Sequence, residues 1–227
     1  MKILRTFAFL ALGVSLSACA AVDTVTRNAP FEAVSATPAT RVVVPTPSEI
    51  VSEAVLSAPF RIEAVVVNVP RSLKVSEANR YLPAGDIVWR GDPVGDRYEQ
   101  VKAIFEAAML TGAQKIDGAQ PVDLLINVKR FHALTEKARY TTGGVHNIVF
   151  DLALADPETG EIIVPWREIR ADLEAFGGAK AIEADRVGQT QKVRITDHLA
   201  IVMQQEITTA EGHQNAKLGL IQMMNQI

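Results

Sequence analysis

The sequence predicts an α+β fold in which helices pack on one face of a mostly antiparallel sheet. Three segments, 122–131, 146–156 and 167–176, alternate apolar and polar residues with the period of a half-buried strand. Two other segments, 96–112 and 190–208, carry apolar residues at the spacing of one buried helical stripe. One-sided alternation is typical of an antiparallel sheet with one solvated face, and the helices are expected to cover the other face.

Further strands are predicted from residue type. FRIEAVVVNV (60–69) is rich in β-branched residues and ends at Pro70, and DIVWR (86–90) is a shorter candidate. RVVV (41–44) has the composition of an additional edge strand. In the third alternating segment, the residues expected to face inward are Ile169, Ala171, Leu173 and Ala175, and those expected to face outward are Glu168, Arg170, Asp172 and Glu174.

The first helix has the clearest boundaries. Asp96 is a good N-cap residue, and Glu99 follows three positions later as in a capping box. Gly112 is expected to end this helix. In the last helix, the residues expected to face the core are Leu199, Val202, Met203 and Ile207.

The N-terminus has the three-part layout of a secretory signal peptide. Lys2 and Arg5 form a basic region, and the apolar run 7–16 that follows is too short to span a bilayer as a permanent helix. LSAC (16–19) resembles the lipobox of bacterial lipoproteins, in which the cysteine carries diacylglycerol and becomes the first residue of the mature chain. The alternative is ordinary cleavage within 18–20, which would leave a free periplasmic protein.

Cys19 is the only cysteine in the 227 residues, so it cannot close an intramolecular disulfide. An unpaired thiol is a liability in an oxidising compartment, and lipidation would consume it. We therefore predict that Cys19 is the lipidation site and that the membrane is a partner through this anchor. Lipoproteins of the inner membrane typically carry Asp next, whereas this chain has Ala20. The resemblance thus favours the periplasmic face of the outer membrane, with the inner membrane as the alternative.

Four regions are predicted along the chain. Residues 1–18 are a removed signal peptide, and 19–58 are the lipidated cysteine with a flexible tether that reaches on the order of 35 Å. Residues 59–208 form a single periplasmic α+β domain, and 209–227 are a C-terminal tail with room for a short helix. Within the tether, SEIVSEAV (48–55) is a candidate short helix.

The distribution of charged residues argues against a nucleic-acid partner. The chain has 23 Lys and Arg against 26 Asp and Glu, a net charge of −3, and the basic residues are scattered among acidic ones. Proteins that bind nucleic acids concentrate basic residues in a patch or stripe, so no nucleic-acid partner is predicted. No cofactor is predicted either.

Two groups of residues are candidate metal ligands. His132 and His146 fall near the ends of neighbouring predicted strands, but zinc needs three or four ligands. Histidines hydrogen-bonded to loop backbone are the commoner case. Gly-Asp recurs at 85–86, 91–92 and 95–96, without the ligand spacing of an EF-hand loop. The sequence therefore predicts no metal site.

Catalytic signatures are also missing from the sequence. TTGGVHN (141–147) is glycine-rich, but it leads into a strand, whereas a phosphate-binding loop leads into a helix. GxSxG and HExxH motifs are absent, so we predict that the protein is not an enzyme. Trp89 and Arg90 form an amphipathic pair at which a partner could dock, although Trp89 also suits a core position.

Three segments carry a resemblance to known proteins: VSEANRYLPAGDIVWRGDPVGDR (75–97), RFHALTEKARYTTGGVHN (130–147) and GQTQKVRITDHLA (188–200). They resemble an uncharacterised family of alphaproteobacterial lipoproteins, a domain of unknown function, which implies no established activity. The order of lipobox, tether, strands, helix, long strands and closing helix is more loosely similar to the ABC-type transport auxiliary lipoproteins. Those are non-catalytic partners in lipid movement across the envelope.

The resulting hypothesis is a membrane-anchored periplasmic lipoprotein that acts as a non-catalytic binding, assembly or transport accessory module. Its partner would be an envelope protein or a lipid, held on the sheet or in a cleft beside it. The alternatives are a structural envelope lipoprotein without a small-molecule ligand and, third, an enzyme of unrecognised type.

Overall fold

The computed structural model of the protein describes residues 40–44, 58–220 and 222. The strands are β1 (Arg41–Val43), β2 (Phe60–Asn68), β3 (Ile87–Val88), β4 (Gln120–His132), β5 (Gly144–Ala155), β6 (Ile162–Arg170) and β7 (Leu173–Ala175). The helices are α1 (Arg97–Ala113), α2 (Glu136–Arg139), α3 (Gly178–Arg186) and α4 (Gln191–Thr208). The predicted α+β class is confirmed.

The strands form one sheet path in the order β1-β2-β4-β5-β6, with β3 paired to β4 and β7 paired to β5. Most pairs are antiparallel, as predicted, but β2 and β3 both run parallel to β4. A parallel pair needs a long crossover connection, and the crossover from β2 to β4 contains α1. This connection places α1 against the face of the sheet.

The edge strand predicted in 41–44 is present as β1, which pairs antiparallel with β2. Its Arg41 reaches across β2 to Asp123 on β4, with Nε 2.7 Å from Oδ2 and Nη2 2.9 Å from Oδ1. This two-pronged ion pair fixes β1 to a central strand as well as to its neighbour. The sheet therefore includes residues that precede the predicted domain start at 59. The helix predicted at 48–55 lies outside the described residues.

The core lies between the sheet and the helices α1 and α4. The four core-facing residues predicted in the last helix are all buried. A chain of edge-to-face ring contacts runs through the core, from Trp89 to Phe131 (5.7 Å between centroids), to Phe105 (6.1 Å) and to Phe150 (5.3 Å). Each such contact adds to the stabilisation that comes from burial of the rings.

The N-terminus of α1 forms as the sequence predicts, but its C-terminus does not. Asp96 accepts hydrogen bonds from the backbone N–H groups of Tyr98 (2.9 Å) and Glu99 (3.3 Å). Gly112 does not end the helix, which continues to Ala113. A Cβ at position 112 would lie 2.9 Å from the carbonyl oxygen of Ala200 on α4. The glycine therefore permits close approach of the two helices.

The alternating segment at 167–176 departs from its prediction as a single strand. It is split between β6 and β7, and β6 starts earlier, at Ile162. Asp172, expected to face solvent, is buried between the two strands. Its carboxylate accepts hydrogen bonds from the side-chain amides of Asn147 (2.6 Å), Asn215 (3.1 Å) and Gln222 (2.6 Å). These amide donors make burial of the charge tolerable, and two of them come from the C-terminal segment.

In the described residues, no helix is both long enough and apolar enough to cross a bilayer.

Four charged residues, which we call the Glu77 cluster, join the loop after β2 to both α1 and α2: Glu77, Arg90, Arg97 and Glu136. The side chain of Arg97 is fully buried, and its Nε lies 2.6 Å from Glu77 Oε1 and its Nη2 3.2 Å from Glu77 Oε2. Arg97 Nη1 donates to the carbonyls of residues 92 and 93 and to Gln100 Oε1. Arg90 bonds to Glu136 and, through Nη1, to the backbone oxygen of Glu77 (2.8 Å).

Loss of the central carboxylate should destabilise the fold strongly. We expect Glu77→Ala to lower the free energy of unfolding by about 3–5 kcal/mol, because the fully buried guanidinium of Arg97 loses its counter-charge and Arg90 keeps only Glu136. Urea unfolding followed by circular dichroism measures this change. The matched control is Glu99→Ala, whose half-exposed carboxylate pairs with Arg71 and should cost about 1 kcal/mol or less. Equal costs for the two variants would contradict the prediction.

Candidate functional site

The predicted site residues fall in different places. Cys19 lies outside the described residues. Trp89 is fully buried, packs on Phe131 and donates its Nε1–H to Asp92 Oδ2 at 2.8 Å. Arg90 is held within the Glu77 cluster, and only 8% of its side chain is exposed. Both side chains are largely enclosed by this chain's own residues, so Trp89 takes the core position that the sequence also allowed, and partner docking at the pair stays a prediction.

Among the candidate metal ligands, His132 and the three Gly-Asp carboxylates make other contacts. His132 is buried with Nε2 2.9 Å from the carbonyl oxygen of Pro83, the backbone contact expected for a histidine at a strand end. Of the three Gly-Asp carboxylates, Asp86 accepts from the backbone of Lys74, Asp92 accepts from Trp89, and Asp96 caps α1. Across the residues that the structure describes, no three His, Cys, Asp or Glu side chains are grouped as a metal site would require.

The sheet face opposite α1 and α4 carries an open groove of about 300 Å³. Its lining residues, which we call the open-face groove, are Val66, Asn68, Leu125, Ile126, Asn127, Asp151 and Trp166. Val66 and Leu125 are cross-strand neighbours, and Leu125 is in turn paired with Ala153 on β5. The methyl side chain of Ala153 fills little of the space above the sheet.

Trp166 is the main apolar side chain on this face. It lies on the edge strand β6 and is 48% exposed, whereas Trp89, the other tryptophan of the chain, is fully buried. Trp166 is not among the site residues predicted from the sequence, because the predicted alternating segment begins at residue 167. The sequence does contain a signal for an exposed tryptophan. Trp166 has the same parity as Glu168 and Arg170, and those two residues are expected to face outward.

The charges around the groove balance one another. Lys129 lies 3.6 Å from Asp151 and 2.5 Å from Glu168, and Arg170 lies 3.2 Å from Glu168. Two acids and two bases thus form one surface network, in which the Lys129 pairing lowers the pKa of Glu168. At the other end, Asn68 donates from Nδ2 to Asn127 Oδ1 at 2.7 Å. The groove therefore has an apolar centre and a rim without net charge.

A second, much smaller cavity of about 10 Å³ lies where the start of β5 meets α3 and α4. Its lining residues, which we call the His146 pocket, are Arg139, His146, Phe176, Ala181, Ala184, Gln189, Gln191 and Arg194. His146 is buried, and within the described residues neither of its ring nitrogens has a hydrogen-bond partner. The side-chain oxygen of Gln191 is likewise buried and unpartnered there.

His146 is held in its neutral form. Burial is the main cause, and the positive charges of Arg194 and Arg139 add to it, so that the pKa of His146 falls to about 3. The neutral ring has one N–H donor and one acceptor nitrogen at neutral pH. An uncharged histidine beside two guanidinium groups can donate a hydrogen bond to a ligand without adding a charge of its own.

The chain matches a known protein family. Residues 60–223 match DUF6778, described as a family of unknown function. The chain belongs to DUF6778. The match spans more than half of the sequence and includes both the open-face groove and the His146 pocket, and it confirms the predicted membership of an uncharacterised family.

Two solved structures are similar to this DUF6778 chain. A DUF330 protein from Xanthomonas campestris is 11% identical, with 77% of this chain and 96% of that chain covered and a TM-score of 0.38. A candidate lipoprotein from Caulobacter crescentus is 12% identical, with 48% and 80% covered and a TM-score of 0.32. Among curated proteins, no sequence matches the chain.

Burial of His146 should make the stability of this chain sensitive to acid. Its folded-state pKa of about 3 lies below the unfolded value of about 6.5, so between these values protons bind preferentially to the unfolded chain. Stability therefore falls as the pH decreases through this window. From pH 7 to pH 5, we expect His146 alone to remove about 2 kcal/mol from the free energy of unfolding.

The measurement is urea unfolding of the wild type and of His146→Phe at pH 7 and pH 5. The variant lacks the titrating ring, so its stability relative to the wild type should rise by about 2 kcal/mol at the lower pH. The pKa values of His132, His198 and His213 are also lowered by burial, but these residues are present in both proteins and their effects cancel. An unchanged difference between the two proteins would disprove the role of His146.

Proposed function

We propose that the chain is a lipid-anchored, non-catalytic binding module of the cell envelope that docks a partner protein on the open-face groove. The observation that carries the proposal is the half-exposed Trp166 beside Val66 and Leu125, on a sheet face that no described helix covers. Exposed apolar patches with polar rims mark interaction surfaces. An accessory role in envelope transport or assembly is part of this proposal.

The N-terminal sequence supports the location. LSAC (16–19) follows an apolar run of the correct length for a lipoprotein signal, and lipidation would hold the protein to the membrane. Ala20 favours the periplasmic face of the outer membrane, so the partner is expected to be a neighbouring envelope protein.

The energy available at the groove is sufficient for a specific contact. Tryptophan is enriched among residues whose truncation weakens protein–protein binding most. The exposed half of Trp166 is on the order of 100 Å², and its burial would contribute about 2.5 kcal/mol. Val66 and Leu125, which are partly exposed, would add to this contribution.

The shape and charge of the groove favour a protein over a lipid chain. Pockets for small ligands usually enclose most of the ligand surface, whereas this groove is open along the sheet. The rim is a balanced network of Lys129, Asp151, Glu168 and Arg170, so it does not attract an anionic headgroup. An apolar segment of another protein, such as one face of a helix, fits an open surface of this kind.

The exposed edge of the sheet is less suited to docking than its face. Strand β6 contains Pro165, which has no N–H to donate, and carries the charged side chains of Arg167, Glu168 and Arg170. Proline and charges on an edge strand oppose the addition of another strand. The opposite edge, β1, offers only three residues.

Lipidation is tested by labelling. Cells that express the wild-type chain and are fed an alkyne analogue of palmitate should incorporate the label, and Cys19→Ser should incorporate none, because the thiol is the proposed acceptor. Ser17→Ala, a matched change that keeps Cys19, should remain labelled and membrane-bound. Label in the Cys19→Ser variant would rule out the lipid anchor at this residue.

Partner docking is tested by site-specific photo-crosslinking of the full chain in cells. A benzophenone amino acid at position 166 or at position 66 should capture the same envelope protein, identified by mass spectrometry, since both positions line the groove. Position 201 is the control, because Ile201 is 51% exposed but lies on α4, away from the groove.

Three outcomes of the crosslinking would overturn the proposal. Equal capture at position 201 would show nonspecific contact. An adduct with the mass of a lipid would show that the groove holds an acyl chain. An adduct between two copies of this chain would show that the groove is a homodimer surface.

A further inference from the structure

The His146 pocket has unmet hydrogen-bonding capacity that packing alone does not explain. In the described part of the chain, both ring nitrogens of His146 and the side-chain oxygen of Gln191 are buried without a partner. Buried polar groups normally have partners, and one left alone costs about 1–3 kcal/mol. Both residues line the same cavity, so an oxygen atom seated there would accept the ring N–H of His146. Gln191 Oε1 is an acceptor, and it would be satisfied only by an occupant that carries a hydrogen, such as water or a monoprotonated phosphate.

The guanidinium of Arg194 is held in a fixed orientation at this cavity. Its guanidinium carbon lies 3.4 Å from the centre of the Phe176 ring, and its Nη2 donates to the backbone oxygen of Glu174 at 2.8 Å. These contacts restrict the side chain and leave its other N–H groups for a ligand. A stacked, pre-oriented guanidinium is the residue type best suited to oxyanions, since its N–H groups form a fork.

The local charge is positive by one. Arg139 pairs with Asp185, and Lys180 pairs with Glu174 at 3.4 Å. Arg194 forms no ion pair with a carboxylate among the described residues, and it raises the positive potential at His146. The pocket also lies at the N-terminus of α4, whose first turn includes Gln191 and Arg194, and the helix dipole there favours a negative charge.

We propose that the His146 pocket binds an oxyanion, a carboxylate or phosphate group, with Arg194 paired to its charge and the ring N–H of His146 donating to one of its oxygens. The cavity of about 10 Å³ has space for a single water-sized atom, so one oxygen enters and the rest of the group stays at the pocket mouth. This site is independent of the open-face groove, and its ligand need not be the docked protein.

A single structural water is the competing occupant. Water would bridge His146 and Gln191, but it would not neutralise the charge of Arg194. The two occupants respond differently to added salts. Occupancy by an oxyanion rises with the concentration of that anion, whereas occupancy by water does not change.

The test is nuclear magnetic resonance of the full chain labelled with ¹⁵N at histidine, with the His146 signals assigned by His146→Phe. Sodium phosphate, sodium acetate and sodium chloride are added in separate titrations at constant ionic strength. We expect the ring signals of His146 to shift and saturate with phosphate or acetate, and to stay unchanged with chloride. The tighter of the two oxyanions identifies the source as a phosphate or as a carboxylate.

Two variants with the same loss of charge give the control. Arg194→Gln should weaken binding at least tenfold, because it removes the charge-assisted hydrogen bonds. Arg186→Gln should leave affinity unchanged, since that side chain is 70% exposed on α3, pairs with Glu183 and does not line the pocket. Arg194→Lys, which keeps the charge but loses the planar fork, should weaken binding severalfold and serves if the glutamine variant fails to fold.

The proposal is overturned by either of two results. His146 signals that respond to none of the three salts would leave a water as the occupant. Equal weakening by Arg194→Gln and Arg186→Gln would show that the anions respond only to the overall charge of this surface.

Discussion

The fully buried guanidinium of Arg97 is the constraint on which the arrangement of the helices depends. A buried charge is tolerated only when its donors are satisfied, and here they require Glu77, two loop carbonyls and Gln100 to lie in fixed positions. That requirement orders a loop of nearly thirty residues with little regular structure between β2 and α1. Because Arg97 is also the first residue of α1, the same contacts fix where the helix starts and how it lies on the sheet.

Periodicity in the sequence predicted those parts of the fold that depend on neighbouring residues. The boundaries of β2 and α4 and the N-cap of α1 follow from β-branched runs, from a single apolar stripe and from Asp96, so they agree with the structure. The predicted end of α1 at Gly112 was wrong, because this glycine serves the close contact with α4, which is distant in sequence. The predicted exposure of Asp172 was wrong, because the amide groups that bury its carboxylate include those of Asn215 and Gln222, far along the chain. Helix α3 was missed, since only Ala181 of its nine residues is buried.

The two candidate sites were hidden from the sequence for the same reason. The open-face groove combines residues from β2, β4, β5 and β6, and the His146 pocket combines residues from α2, β5, α3 and α4. Neither set has a motif spacing, because each is assembled by the topology. His146 was noted as a candidate ligand, but its neighbours Arg194 and Phe176 were not. The two surfaces also differ in chemistry: the groove is apolar with a neutral rim, whereas the pocket has an excess positive charge.

The bidentate pair between Arg41 and Asp123 has a mechanical consequence. Any pull on the segment that precedes residue 40 reaches the sheet through β1, which is only three residues long. A strand this short, held by its backbone hydrogen bonds alone, would peel from the edge under a small load. Arg41 instead carries part of the tension past β2 to Asp123 on β4, the strand at the centre of the sheet. The domain is thus built so that traction on its N-terminal side is borne by its most deeply embedded strand.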